Sequence, residues 1–275
     1  MWHTLLRRLV SMLALALALA LAGPAQAGRP CDEAPLSAES VERGLALALA
    51  TEQRLQASGA RVLLLARAGQ DLRAYGLQWS HLGFAYRDSD APDSPWRVLH
   101  KLNHCGTDQA ALYRQGLGPF FLDRPWRHEA AFVALSAEAQ ERLLPLLRDA
   151  HRPLQLHEPR YNVVAYPWAT AYQQSNQWAI ETLALALEPA VRNRVQAQAW
   201  LQLKGYQPTV LKLGPLTRLS ARLTRANLAF DDHPNDKRFA DRIETVTVDS
   251  VFDWLPETGL LQPGTAGHHV TRISL

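Results

Sequence analysis

Two histidines lie in apolar segments that predict neighbouring β-strands. His81 lies in WSHLGFAY, and His100 lies near the end of WRVLHKLN. Side chains alternate along a strand, so His81, Gly83 and Ala85 are expected on one face, where the small neighbours leave room beside the imidazole. One imidazole could act as a general base and the second could orient it. The alternative is a core histidine that is hydrogen-bonded to a backbone carbonyl.

Ser175 and Cys105 are the candidate nucleophiles. Ser175 opens SNQWAIETLALAL, the clearest helical pattern in the chain. The free N–H groups at a helix start stabilise an anion, but a serine must lose its proton to a base during attack. Ser175 is therefore either a nucleophile beside His81 and His100 or an ordinary helix cap. Cys105 would need to be reduced and close to a base.

The first 27 residues have the features of a signal peptide. A basic start is followed by an apolar run and by Ala25-Gln26-Ala27, which suits signal peptidase. Cleavage after Ala27 predicts a periplasmic or secreted protein that has no stable membrane span. Cys31 and Cys105 are the only cysteines, and in an oxidising compartment they are expected to form one disulfide.

The charge of the chain gives no indication of a nucleic-acid partner. Loss of Arg7 and Arg8 with the leader lowers the formal charge by two from +3, and no basic stripe is present. Residues 230–242, FDDHPNDKRFADR, are rich in aspartate, but their adjacent side chains would diverge from a single ion. We predict a charged loop there, without a metal or cofactor.

Three aromatic residues are candidates for binding a cell-envelope ligand. Tyr166 and Trp168 lie in HEPRYNVVAYPW, and Trp178 lies in the helix that begins at Ser175. Aromatic and hydrogen-bonding groups at this density could line a groove for a sugar or a peptide. The alternative is that these aromatic residues attach an edge strand to the core.

The remaining pattern predicts an α+β fold in one domain, residues 28–275. Strands are expected at 61–69, 77–86, 96–102 and 243–251. Helices are expected at 37–57, 107–115, 136–149, 175–187, 193–204 and 216–226. No linker rich in glycine, serine and proline divides the chain.

The paired segments SHLGFAYRD and WRVLHKLN resemble the strand pair of papain-like cell-wall hydrolases of the NlpC type. In the circularly permuted branch of that superfamily, a cysteine opens a later helix. The matching segment here, YQQSNQWAIETL, has Ser175 at that position. The resemblance implies an antiparallel sheet packed with helices, with His81 as the base and His100 as its orienter. It also implies a hydrolase or acyl-transferase that acts on an amide or ester of the envelope.

A second resemblance covers nearly all of the chain after residue 27. LNHCGT, FFLDRPW, HEPRYNVVAYPW, YQQSNQW and AFDDHPNDKRFADRIETVTVDSVFDWL resemble a proteobacterial secreted family, domain of unknown function 2145. That family brings no activity with it. Two hypotheses follow: a hydrolase in which serine replaces the expected cysteine, or a catalytically inactive binding module with the same fold.

Overall fold

The structure, a computed structural model, describes residues 35–91, 93–263 and 269–275. The predicted signal peptide and Cys31 lie outside the described residues. The strands are β1 (Val62–Arg67), β2 (His81–Arg87), β3 (Trp96–Asn103), β4 (Ala110–Gly116), β5 (Glu129–Ala134), β6 (Thr209–Lys212), β7 (Arg242–Thr245) and β8 (Val270–Ser274). The α-helices of the described residues are α1 (Ala38–Ala57), α2 (Leu117–Phe121), α3 (Ala137–Arg148), α4 (Ser175–Leu187), α5 (Arg194–Leu203), α6 (Pro215–Thr224), α7 (Asn235–Phe239) and α8 (Val248–Trp254).

Six strands form an antiparallel sheet in the order β4-β3-β2-β1-β5-β8. Strands β2, β3 and β4 each lie beside the strand that precedes them in the chain. The α+β prediction with an antiparallel sheet is therefore confirmed. The regular pairing of β2 with β3 runs from Phe84 and Leu99 to Arg87 and Trp96, so it stops short of His81.

The two faces of this sheet are covered by different helices. On the α1 face, α1 and α2 pack through Leu47, Leu55 and Phe120 against strand residues that include Leu63 and Val98. The α4 face is covered by α3, α4, α5 and α8. Its core includes Leu64, Leu82, Phe84, Leu99, Leu143, Trp178, Leu183, Leu201 and Val251. Every β1 residue is buried because both faces are covered.

A small second sheet lies outside these layers. β6 pairs with β7, and a separate apolar cluster packs beside them through Val164, Leu211, Leu213, Phe230 and Ile243. Helix α6 follows β6, and α7 precedes β7. No helix among the described residues combines the length and apolar composition that crossing a bilayer requires.

Two sequence predictions of secondary structure were wrong. Residues 107–115 were expected to form a helix, but Ala110–Gly116 form β4, which pairs with β3 along its whole length. Residues 243–251 were expected to form one strand, but β7 ends at Thr245. Thr247 then caps α8 through a reciprocal pair of hydrogen bonds with Ser250.

Candidate functional site

His81 and His100 meet on the α1 face of the sheet. Nε2 of His81 lies 2.8 Å from Nδ1 of His100, and both rings are buried. Phe120 of α2 packs against the pair, with ring centroids 6.0 Å from His81 and 5.1 Å from His100. The two imidazoles that were singled out in the sequence are therefore in direct contact.

Gly83 makes this approach possible. A Cβ atom at position 83 would lie 2.9 Å from Cγ1 of Val98 and 3.0 Å from Cβ of His100. Both distances are shorter than ordinary carbon contacts, so any larger residue would push β3 or the imidazole of His100 away. Gly83, on the same face of β2 as His81, therefore leaves the space that the imidazole of His100 occupies.

The hydrogen bonds define the tautomers of the two neutral rings. The amide oxygen of Gln115 lies 3.0 Å from Nε2 of His100, so this nitrogen donates its proton to Gln115. Nδ1 of His100 must then accept from the Nε2–H of His81. The remaining nitrogen of His81, Nδ1, keeps its lone pair, and among the described residues nothing hydrogen-bonds it.

The surroundings hold both rings in the neutral form. Burial lowers the pKa of His81 well below its usual value, and the positive charge of Arg67 adds to this effect. Burial likewise lowers the pKa of His100 to about 4. Arg67 is itself held by the backbone carbonyl of Phe120 and by the carboxylate of Asp123. The pair therefore has the form of an oriented neutral base.

The structure does not bring Ser175 to this pair. Ser175 begins α4, which packs on the α4 face, where Trp178 meets Phe84 with ring centroids 5.9 Å apart. Strand alternation directs Phe84 away from the face that carries His81. Neither imidazole hydrogen-bonds Ser175 among the contacts of the described residues. The strands therefore separate the base from the proposed nucleophile.

The start of α4 is occupied by protein groups. Tyr161 is buried beside Ser175. Burial raises the pKa of this phenol, and the neighbouring hydroxyl and backbone N–H of Ser175 oppose the shift. The side-chain oxygen of Gln174 accepts from the N–H of Asn176 at 2.7 Å, while the side-chain oxygen of Asn176 accepts from the N–H of Leu82 at 3.0 Å. The second N–H group of the helix, that of Asn176, is therefore already hydrogen-bonded.

A buried ionic network lies next to this helix start. Lys101 is completely buried and donates to the carbonyl oxygen of Glu158 at 2.5 Å and to the side-chain oxygen of Gln173 at 2.9 Å. Gln173 donates in turn to Glu181, which also forms a salt bridge with Arg194 at 2.8 Å. Burial lowers the pKa of Lys101 to about 7, and the charge of Arg194 adds to the shift. Sequence reasoning missed this network, although a lysine in the apolar run WRVLHKLN was a signal.

A comparison with family models matches residues 54–255 to a family described as uncharacterised protein conserved in bacteria, DUF2145. The chain belongs to this family. No curated protein and no solved structure matches it. The match supports a bacterial family and does not extend to the narrower proteobacterial group that the sequence suggested.

The predicted ligand-binding aromatic residues of this DUF2145 protein do not converge on one groove. The Trp178 ring is fully buried in the core, and its indole N–H donates to the carbonyl of Pro153, so we assign it to packing. Tyr166 is buried against His233, with ring centroids 5.1 Å apart. Trp168 is half-buried and packs edge-on against Tyr206 at 6.1 Å.

Cys105 lies in the exposed turn between β3 and β4, outside the histidine pair. The described residues contain no free thiol. Its predicted pairing with Cys31 stays a prediction, because Cys31 lies outside the described residues. These observations argue against Cys105 as the nucleophile.

No cluster of three or more metal-binding side chains is found within residues 35–91, 93–263 and 269–275. The aspartate-rich segment 230–242 was expected to be a loop throughout, but Asn235–Phe239 form α7. Before this helix, Asp232 accepts from the backbone N–H of Tyr166 at 2.7 Å and lies 2.9 Å from Nδ1 of His233. Asp231 accepts from the hydroxyl of Tyr172 at 3.2 Å. These carboxylates therefore join the loop to neighbouring segments.

An open cavity of about 590 Å³ lies beside α8, and none of the predicted site residues lines it. The carboxylate of Asp249 borders it and accepts the backbone N–H groups of Gln78 at 3.0 Å and Trp79 at 3.2 Å. Burial raises the pKa of Asp249, and these N–H groups oppose the shift. The other polar and aromatic residues that line the cavity include Gln207, Thr209, Asp253, Trp254, Glu257 and Arg272.

Proposed function

We propose that this protein is an exported binding module that keeps a papain-like layout without its catalytic pair. The observation that carries the proposal is the position of Ser175, which begins a helix on the face of the sheet opposite the two imidazoles. A papain-like hydrolase needs its nucleophile within reach of the base. Here α4 packs on one face of the sheet, and the imidazoles lie on the other.

The oxyanion requirement supports the same proposal. Acyl transfer needs donors that point at the developing oxyanion, and the first N–H groups of a helix are suited to this role. In this chain the N–H of Asn176 already donates to the side-chain oxygen of Gln174. An incoming carbonyl would have to displace this internal partner, so the helix start is better suited to stabilising the fold than to catalysis.

The cavity beside α8 is the best place for a ligand. Its size suits a small molecule or a short peptide fragment, and its walls combine aromatic rings with a few polar groups. Three carboxylates, Asp249, Asp253 and Glu257, border it together with a single guanidinium, Arg272. An amine-bearing fragment of the cell envelope would complement this excess of negative charge.

Calorimetric titration with soluble, amine-bearing peptidoglycan fragments tests the binding role. The double variant Asp253→Asn, Glu257→Gln should bind about tenfold more weakly or worse, because each change removes a charged partner. Glu141→Gln, which changes an exposed carboxylate on α3, is the matched control and should bind like the wild type. Absence of binding by the wild type would remove this ligand class.

The hydrolase hypothesis retains one supporting observation, the oriented neutral imidazole of His81. Serine- and thiol-directed acyl probes distinguish the two functions. The binding module predicts that the wild type and His81→Ala label equally weakly. Strong labelling of the wild type that disappears in both His81→Ala and Ser175→Ala would establish the hydrolase instead.

A further inference from the structure

Helix α6 presents its apolar side to solvent. Leu216, Leu219 and Leu223 are 82%, 56% and 62% exposed, and no residue of the helix is buried. At 3.6 residues per turn these leucines fall within about 60° of one another. Arg218 and Ala221, the least exposed positions of the helix, lie on the opposite side. An amphipathic helix usually turns its apolar face toward the core, so this orientation is reversed.

The attachment of α6 maintains this orientation. Arg218 donates to the carboxylate of Asp241 at 2.6 Å and also hydrogen-bonds the backbone carbonyl of Leu213. The backbone of Leu213 is itself bonded to Asp241, in the turn that precedes β7. Phe239, two residues before Asp241, is a further exposed apolar side chain. The second sheet therefore holds the leucine stripe outward.

The flanks of the stripe are basic. Residues 212–225, KLGPLTRLSARLTR, contain four cationic residues and no acidic residue. Lys212, Arg222 and Arg225 are exposed, and among the described residues none of them has a carboxylate partner. A leucine stripe with basic flanks matches helices that lie in the plane of an anionic bilayer surface.

We propose that α6 docks on an anionic phospholipid surface, with Leu216, Leu219 and Leu223 inserted among the acyl chains. A second copy of the chain is a poorer occupant. In a symmetric dimer the same patch meets itself, so the unpaired cations would face one another. An anionic bilayer instead supplies both an apolar phase for the leucines and negative charge for their flanks.

Vesicle flotation of the purified protein that is recovered after export, without residues 1–27, tests this docking. Vesicles that contain phosphatidylglycerol should bind the wild type, and pure phosphatidylcholine vesicles should bind it at least about tenfold less. The triple change of Leu216, Leu219 and Leu223 to Gln should weaken binding about tenfold or more, because it removes the inserted apolar surface. Arg222→Gln with Arg225→Gln should weaken binding and reduce its dependence on salt.

Leu49→Gln is the matched control, because Leu49 of α1 is 57% exposed and lies outside the patch. It should bind like the wild type. Sedimentation of each variant without lipid tests self-association at the same time. The proposal is overturned if the triple variant still binds as well as the wild type, or if the wild type binds phosphatidylcholine vesicles as well as phosphatidylglycerol vesicles. It is equally overturned if the wild type binds neither kind of vesicle. It is also overturned if the stripe is needed only for a concentration-dependent dimer.

Discussion

The two faces of the β2–β3 region satisfy buried polar groups in different ways. On the α1 face, His81 and His100 form a neutral chain of hydrogen bonds that ends at Gln115. On the α4 face, one residue along the strand, Lys101 joins a network that contains Glu181 and Arg194. Burial therefore keeps the two imidazoles uncharged, whereas the network on the second face consists of compensated charges. The predictions that follow separate these two modes.

Replacing Glu181 by Gln should have the largest effect. Glu181 is completely buried and accepts from Arg194, Gln173 and Gln198. The change removes the carboxylate that pairs with the guanidinium of Arg194. It also introduces an NH₂ group where the three neighbouring side chains are themselves hydrogen-bond donors. We expect the free energy of unfolding to fall by about 3–5 kcal/mol in urea titrations. Glu141→Gln is the exposed control, and a loss as small as that control would contradict the network.

The deprotonation of Lys101 should have the next largest effect on the free energy of unfolding. Its pKa is about 7 in the folded protein, below its usual 10.5, so the unfolded chain binds more protons between those values. Stability should therefore rise from pH 7 toward 9.5, with Lys101 contributing on the order of 2–3 kcal/mol. Lys101→Met should flatten this rise, and the exposed control Lys212→Met should preserve it. Equal slopes in all three proteins would contradict the assignment.

The histidine pair should give a smaller effect on the acid side. The pKa of His100 is about 4 in the folded state, below its usual 6.5, so the unfolded state takes up protons first as the pH falls. Stability should be lost between pH 6.5 and 4, by on the order of 1–2 kcal/mol at pH 5. His100→Gln should reduce this loss in urea titrations, whereas the exposed control His151→Gln should not. An unchanged slope in His100→Gln would show that the pair does not titrate in this range.

Local signals predicted much of the fold correctly. Ser37 and Ser136 accept backbone N–H groups at the starts of α1 and α3, as their positions indicated. The helix predicted at 107–115 was wrong because most of these residues pair with β3. This tertiary contact overrides their local helix propensity. The strand expected through residue 251 ends early because Thr247 and Ser250 form a capping box.

The sequence predicted one part of the candidate site, the histidine pair, but not the position of Ser175 relative to it. The alternation of WSHLGFAY indicated the shared face of His81 and Gly83, and the imidazole contact follows from it. Which face α4 covers depends on the path of the chain between β4 and Ser175, and no local pattern encodes that path. The contact of Tyr161 with Ser175 was missed for the same reason.

The consecutive order of β1 to β4 has a consequence for folding kinetics. Strands β2, β3 and β4 each pair with the preceding strand across a connection of at most 13 residues, so the cost in chain entropy of joining them is moderate. Helix α4 reaches the same sheet only after the long segment that follows β4. We therefore expect the antiparallel strands β1 to β4 to form in the rate-limiting step and α4 to pack on them afterwards. Substitutions in the β1–β2 pair should then slow refolding, whereas changes at the start of α4 should mainly accelerate unfolding.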